Sequence, residues 1–379
     1  MIPSLTRRAT LAVLGLALAP LAACAPASSA HGLTVVATTT QICDYVTQIA
    51  AASNDLSLDK TDASGTQSHV GVAPDSAALT MSLTCLLAPN ASAHEHEMTP
   101  SQAAALANAD VMAVSGVDLE HFLDDAVTSS GFHGRMVVTS GVLTAADIDN
   151  PGASDPEGAY TIDRGNERVD VAPWPFPPEE AGEEPEFRYD PHVWTSPKGA
   201  RIQVANLGAG LAAAAPDAAS SINAATASYL EELDALDQWS AEAIETVPEG
   251  QRVLFTSHDA FGYFSRDYGI SFIGAALSDF NDQQDATADH IASAVQAVKD
   301  SGAVALFAEN SNNSKSIEAI ARGAGVTPIV GDDALYGDSL GPDGSEGATY
   351  VGSIIHNVRA VTQAWGGTVP QLPERLKDQ

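Results

Sequence analysis

Short runs of β-branched and apolar residues alternate with segments of helical periodicity along most of this chain, and this alternation constrains its fold most. In the first half such runs begin at Leu33, Leu79, Val111 and Met136, and predicted helices separate them. Strands that alternate with helices form right-handed βαβ units and parallel sheets. The alternation resumes at Arg252. The sequence therefore predicts an α/β fold with two βα lobes, each built on a parallel sheet.

A long amphipathic segment, residues 216–247, separates the two series. Apolar residues such as Leu233 and Leu236 recur in it at helical spacing, which predicts a single helix of ~45 Å. We interpret it as a helix that joins an N-terminal lobe, residues 33–215, to a C-terminal lobe, residues 248–379. A ligand of such a fold is expected in the cleft between the lobes.

Two polar segments interrupt the alternation. Residues 53–76 contain Gly, Asp and Ser, and we interpret them as a surface insertion to which the sequence assigns no role. Residues 147–190 are acidic and rich in proline, which predicts a long loop. This loop is either a solvated linker or a segment that concentrates cations near a binding site.

The first 24 residues are predicted to be a targeting segment. Two arginines precede the apolar run Leu11–Leu21, which is shorter than the ~18 residues of a membrane span. The run ends in Leu-Ala-Ala-Cys, which resembles a bacterial lipobox and implies that Cys24 carries a lipid. Residues 25–32 then form a flexible tether. The sequence thus predicts an extracytoplasmic protein, lipid-anchored to the outer face of the cell membrane.

Charge excludes some partners. The chain has 49 acidic and 17 basic residues, for a formal net charge of −32. Such a surface repels nucleic acids and anionic lipids. We expect a monomer that is soluble apart from its lipid anchor and has no nucleic-acid partner.

Cys43 and Cys85 are the two cysteines that remain once Cys24 carries lipid. An even pair outside the cytoplasm favours a disulfide. Two buried thiols, or two thiolate metal ligands, are the alternatives.

Histidines mark the candidate site. His258 follows the β-rich run Val253–Thr256 and precedes a predicted helix, the junction at which open α/β domains bind ligands. His94 follows the predicted second strand in the same way, with His96 as an alternative, and His192 lies between a proline and an apolar pair. Several imidazoles in one site suit a divalent transition metal.

Asp338 is a further candidate, in the glycine-containing turn Leu335–Pro342. A carboxylate in such a turn is often a turn-forming residue only. Asp332 and Asp333 are nearby competitors, so the chemistry of the residues alone leaves the choice open.

Four stretches carry a resemblance to a known family: Ala93–Ser101, Asp190–Pro197, Ser257–Phe264 and Leu335–Pro342. Together they resemble the ligand loops of the metal-binding lipoproteins that capture zinc or manganese for ABC importers. The resemblance extends over nearly the whole chain after the targeting segment.

The resemblance implies that the ligands are His94, His192, His258 and Asp338. The family has a tyrosine two positions after its first ligand, where this chain has His96. The resemblance also implies two partners, a membrane permease and a cytoplasmic ATPase.

Three imidazoles and one carboxylate fill a tetrahedral shell and favour Zn²⁺ as the transported ligand, with Mn²⁺ as the alternative. A filled shell leaves no position for a reactive water, so the sequence predicts a binding protein and not an enzyme. A zinc hydrolase or a surface adhesin is the other alternative. The hydrolase would need a general base, for which Glu309 is the candidate, although we expect Glu309 to support a histidine ligand instead.

Overall fold

The structure is a computed structural model that describes residues 32–150, 158–175, 187–276 and 288–377. The predicted targeting segment, Cys24 and most of the tether lie outside these residues. Parts of the acidic segment 147–190 also lie outside them.

The described residues form α/β units in the predicted order. The strands are β1 Leu33–Ala37, β2 Leu56–Thr61, β3 Gln67–Gly71, β4 Leu79–Cys85, β5 Val111–Val114, β6 Arg135–Val138, β7 Thr161–Asp163, β8 Val253–Thr256, β9 Ser271–Ala275, β10 Ala305–Phe307 and β11 Thr327–Ile329. The helices are α1 Thr40–Ala51, α2 Pro100–Ala107, α3 Leu123–Ser130, α4 Ala145–Asp149, α5 Pro197–Ala214, α6 Ala219–Glu245, α7 Gly262–Tyr268, α8 Ala288–Ser301, α9 Lys315–Ala324 and α10 Tyr350–Ala364.

The strands assemble into two sheets. The first has the order β3-β2-β4-β1-β5-β6-β7 and the second has the order β11-β10-β8-β9. All neighbouring strands run parallel except β2 and β3, which are antiparallel. Central strands such as β5 and β8 are buried along their whole length, as expected for a parallel sheet with helices on both faces. The predicted α/β fold with two βα lobes is confirmed.

Residues 53–76, interpreted from the sequence as a surface insertion, form part of the first sheet. They contain β2 and β3, which extend the first sheet at its edge. Leu56 and Leu58 are fully buried on the inner face of β2. The polar residues between these two leucines and after them hid this short alternation in the sequence.

The described parts of the acidic segment 147–190, for which a long loop was predicted, contain regular structure. Residues Thr161–Asp163 form β7, which pairs with β6, and Arg135 bonds to Asp163 at 2.8 Å. Near the end of the segment, Trp174 N donates to Arg188 O and Asp190 N donates to Ala172 O. These bonds fix the chain immediately before His192.

The long helix α6 is present and spans 27 residues, or ~40 Å. Its buried side includes Tyr229, Leu233 and Trp239 and packs against α5, α10 and α1. The limits of the two lobes at residues 215 and 248 stay a prediction. Within the described ranges, none of the helices combines the length and the apolar character needed to cross a bilayer.

A disulfide joins Cys43 in α1 to Cys85 at the end of β4, as the sequence predicts. Both cysteines are buried. The bond therefore ties the first turn of α1 to the point at which the chain leaves the sheet toward His94.

Replacing both cysteines by alanine is expected to lower the free energy of unfolding by about 2–4 kcal/mol, because the bond closes a loop with a sequence separation of 42 residues. Urea unfolding of the double variant would measure the loss. Wild-type protein unfolded with a reductant should lose the same amount. A loss below about 0.5 kcal/mol in both experiments would contradict this prediction.

Candidate metal centre

The four residues implied as ligands converge in the structure. His94 lies in the loop between β4 and α2, and His192 lies just before α5. His258 follows β8, and Asp338 lies between β11 and α10. One candidate ligand atom from each residue lies within 4.8 Å of the other three, and all four residues are buried.

Individual distances define a compact cluster. His94 Nε2 lies 3.0 Å from His192 Nε2 and 3.4 Å from Asp338 Oδ2. The other carboxylate oxygen, Asp338 Oδ1, lies 3.5 Å from His192 Nε2 and 3.7 Å from His258 Nδ1. A tetrahedral zinc ion with bonds of about 2.0–2.2 Å separates its ligand atoms by about 3.3–3.6 Å. The observed spacing therefore fits one small divalent cation.

Electrostatics favour the protonation states that bind metals. Burial lowers the pKa of His94 well below its usual range, so the ring is neutral at pH 7. Burial alone would raise the pKa of Asp338, but the attraction of His258, His94 and His192 outweighs it and holds this pKa below the usual range. Neutral imidazoles and an ionised carboxylate are the forms that bind a metal.

Asp190 orients His192. Its Oδ1 atom accepts from the backbone N of His192 at 2.9 Å and lies 2.8 Å from the ring Nδ1. This contact leaves Nε2 turned toward the cluster, an arrangement common among metal-binding histidines. Tyr263 donates in turn to the Asp190 carbonyl at 2.8 Å.

Glu309 contacts His258. Its Oε1 atom accepts from the backbone N of His258 at 3.0 Å, and its Oε2 atom lies 3.7 Å from His258 Nδ1. The Ser257 hydroxyl accepts from Glu309 N at 2.7 Å. Burial raises the pKa of Glu309, while hydrogen bonding to His258 opposes that rise. Glu309 thus lies beside both the backbone and the ring of His258, and its role in supporting that histidine stays a prediction.

His96, the alternative to His94, is not part of the cluster. Its ring packs edge-on against Phe122, with centroids 5.0 Å apart. Burial lowers its pKa, although a hydrogen bond with Gln102 opposes this. The side chain of Gln102 is held in the capping box of α2, so His96 faces the start of that helix.

Aromatic residues cover the cluster. The Phe187 ring lies against His94, with centroids 5.5 Å apart, and is 2% exposed. His121 stacks on Phe187 at 5.2 Å, and Trp174 lies 6.1 Å from His192. The buried Phe187 ring places apolar surface beside His94, and apolar surroundings strengthen electrostatic interactions within the cluster.

The segment Gly337–Gly341 spells the Gly-x-Ser-x-Gly pattern of serine hydrolases. That pattern places its serine on an exposed turn between a strand and a helix. Here Ser339 is completely buried in a loop, and its hydroxyl bonds to Leu340 O and lies 3.4 Å from Thr40 Oγ1. Ser339 therefore lacks the exposed position that a nucleophilic serine of this pattern needs.

The sequence analysis did not predict a role for several residues around the cluster. The Ser92 hydroxyl donates to Asp338 Oδ2 at 2.7 Å, and the roles of Asp190 and Phe187 were not predicted. The position of Asp190 two residues before His192 is the one feature that could have indicated its role.

Two α/β lobes and a buried cluster of three histidines and one aspartate define a metal-binding protein. The chain belongs to the family of the zinc-uptake complex component A, periplasmic (ZnuA), which matches residues 35–364. This match confirms the resemblance seen in the sequence and the prediction of a metal-uptake protein rather than an enzyme.

Individual relatives differ in the metal they are named for. The manganese-binding lipoprotein MntA of Bacillus subtilis is 28% identical over 285 residues, or 74% of this chain and 82% of the relative. The zinc-binding protein TroA of Treponema pallidum is 32% identical over 184 residues, or 47% of this chain and 58% of the relative. The solved structure of TroA from Treponema pallidum has a TM-score of 0.61 at 23% identity and covers 88% of this chain and 99% of its own.

Gly337→Ala is expected to lower the free energy of unfolding of the metal-free protein by about 1–3 kcal/mol. A Cβ at this position would lie 2.0 Å from Oε2 of the buried Glu309, so either Glu309 or the Asp338 loop must shift. Urea unfolding would measure the loss. Gly250→Ala is a matched control because its Cβ would meet nothing within 4 Å. Equal stability of the two variants would contradict the prediction.

Proposed function

We propose that this chain captures Zn²⁺ outside the cytoplasm and delivers it to the permease of an ABC importer driven by a cytoplasmic ATPase. The observation that carries this proposal is the convergence of His94, His192, His258 and Asp338 at distances that suit one tetrahedral cation. Membership in the family of a zinc-uptake component supports it.

Zinc is preferred on the chemistry of the ligands. Three imidazoles and one carboxylate suit Zn²⁺, whereas Mn²⁺ favours carboxylates and water and lies at the weak end of the Irving–Williams order. The names of relatives include both metals, so they do not decide between them. Manganese capture at the same site is the alternative outcome.

A lipid on Cys24 would keep the binding domain at the outer face of the membrane, beside its permease. The lipobox-like sequence supports this placement, and the relative MntA is named a lipoprotein. A tethered domain meets its partner at a high effective concentration, which suits repeated cycles of capture and delivery.

Chelator-stripped residues 25–379 should bind one Zn²⁺ per chain, with little displacement by excess Mn²⁺. His258→Ala and Asp338→Ala should weaken zinc binding at least 100-fold, because each removes a ligand from a buried site. Competition with a chromophoric chelator would measure the affinities. His69→Ala is the matched control, since His69 is an exposed histidine paired with Asp59 on the β2–β3 hairpin.

Tight manganese binding at the same residues would agree with the family assignment but would contradict zinc as the transported metal. Absence of stoichiometric binding of either metal would contradict the proposed function. Zinc binding that survives in both ligand variants would place the metal elsewhere.

Asp190→Asn should weaken zinc binding about 10–100-fold, because a neutral amide holds the His192 ring less strongly than a carboxylate and can face Nδ1 with either its oxygen or its NH2 group. The same chelator competition measures the change. Asp59→Asn removes a similar carboxylate from an exposed histidine, His69, and should leave the affinity unchanged. Equal affinities for both variants would show that Asp190 does not tune the metal site.

A further inference from the structure

Asp338 lies nine residues after β11 and twelve before α10, farther from a strand or an α-helix than the other three implied ligands. The chain from residue 330 to residue 349 contains one short 3-10 turn, Gly331–Asp333, and otherwise no regular structure. A carboxylate on such a loop would sample many positions unless other contacts fix the backbone. Contacts from other parts of the chain must therefore hold residues 337–340.

Three buried side chains from earlier parts of the chain bond to this backbone, in addition to Asn310, which donates to Ser339 O at 3.0 Å. Gln41 Nε2 donates to the carbonyl of Asp338 at 3.0 Å, and the Thr40 hydroxyl accepts from Leu340 N at 2.9 Å. The Trp194 indole donates to Gly337 O at 2.9 Å. They contact three of the four consecutive residues around the carboxylate.

The start of α1 is itself fixed. Thr39 caps this helix through a bond from Ile42 N at 3.1 Å, and the disulfide ties Cys43 to β4. Thr40 and Gln41 lie between these two anchors. They therefore present their polar atoms from a rigid support.

Trp194 is anchored in the same way. Tyr350 donates to the Trp194 carbonyl at 2.7 Å. The Trp194 ring packs edge-on against His192, with centroids 5.4 Å apart. One side chain thus connects the backbone beside His192 to the backbone beside Asp338.

We propose that Thr40, Gln41 and Trp194, named here the Asp338 clamp, are positioning residues that set the metal affinity by holding Asp338 in reach of the three histidines. This inference rests on the proposed role of Asp338 as a ligand. None of the clamp residues belongs to the four-residue cluster of candidate ligands, so their effect passes through the loop.

Gln41→Met and Trp194→Phe test the clamp, because each removes one donor and keeps most of the side-chain volume. Each should lower zinc affinity about tenfold. Each should also change the visible absorption of the Co²⁺-loaded protein, which reports coordination geometry. Thr40→Val provides a third variant if either of the others fails to fold.

Matched controls are available elsewhere in the chain. Gln203 is a buried glutamine that donates to Ser115 and Thr139, and Trp239 donates its indole hydrogen to Pro370 O. Gln203→Met and Trp239→Phe should lower the unfolding temperature of the metal-free protein to a similar degree. They should leave zinc affinity and the Co²⁺ spectrum unchanged.

Combination with Asp338→Ala gives the sharpest result. If the clamp acts through Asp338, adding Gln41→Met to Asp338→Ala should cause no further loss of zinc affinity. A further tenfold loss in the double variant would contradict the proposed clamp. The proposal would also be contradicted if, across the two clamp variants and the two controls, the loss of zinc affinity simply followed the fall in unfolding temperature. Failure of the proposed function is distinguishable, because wild-type protein would then bind no zinc.

Discussion

The rest of the site depends on the close approach of the Asp338 carboxylate to three buried imidazole rings. Four polar side chains would be costly to bury in a protein interior without compensating contacts. Here three of the four candidate ligands have a neighbour that compensates part of this cost: Asp190 for His192, Glu309 for His258 and Ser92 for Asp338. A divalent cation would replace the close approach of His94 and His192 by bonds to a shared centre. The site is therefore best understood as a prepared cation shell.

The fold supplies that shell from distant parts of the sequence. His94 and His258 follow strands of different sheets, which is where parallel α/β structures bind ligands. His192 is fixed by the ordered end of the acidic segment and by the start of α5. The disulfide keeps α1 beside the exit of β4, so the loops of His94 and Asp338 share one support. Rigid elements thus bring the four candidate ligands together.

Much of this arrangement could be predicted from the sequence because its signals are local. The strand runs, the α5 and α6 periodicities and the residues flanking His258 all lie within short windows. The hairpin β2–β3 was not predicted because its apolar pattern consists mainly of two buried leucines, Leu56 and Leu58, within a polar segment. Contacts such as Gln41 with Asp338 join residues far apart in the chain, and no spacing rule indicates them. The preference for His94 over His96 rested on its position after a strand and on the resemblance, and in the structure the His96 ring packs against Phe122 instead.

The central claim is that one zinc ion binds these four side chains together. Anomalous diffraction from crystals of the zinc-loaded chain, measured on both sides of the zinc absorption edge, tests it most directly. We predict a single strong zinc peak bonded to His94, His192, His258 and Asp338 at about 2.0–2.2 Å. A zinc peak elsewhere, or one that lacks Asp338 or any of the three histidines, would contradict the account.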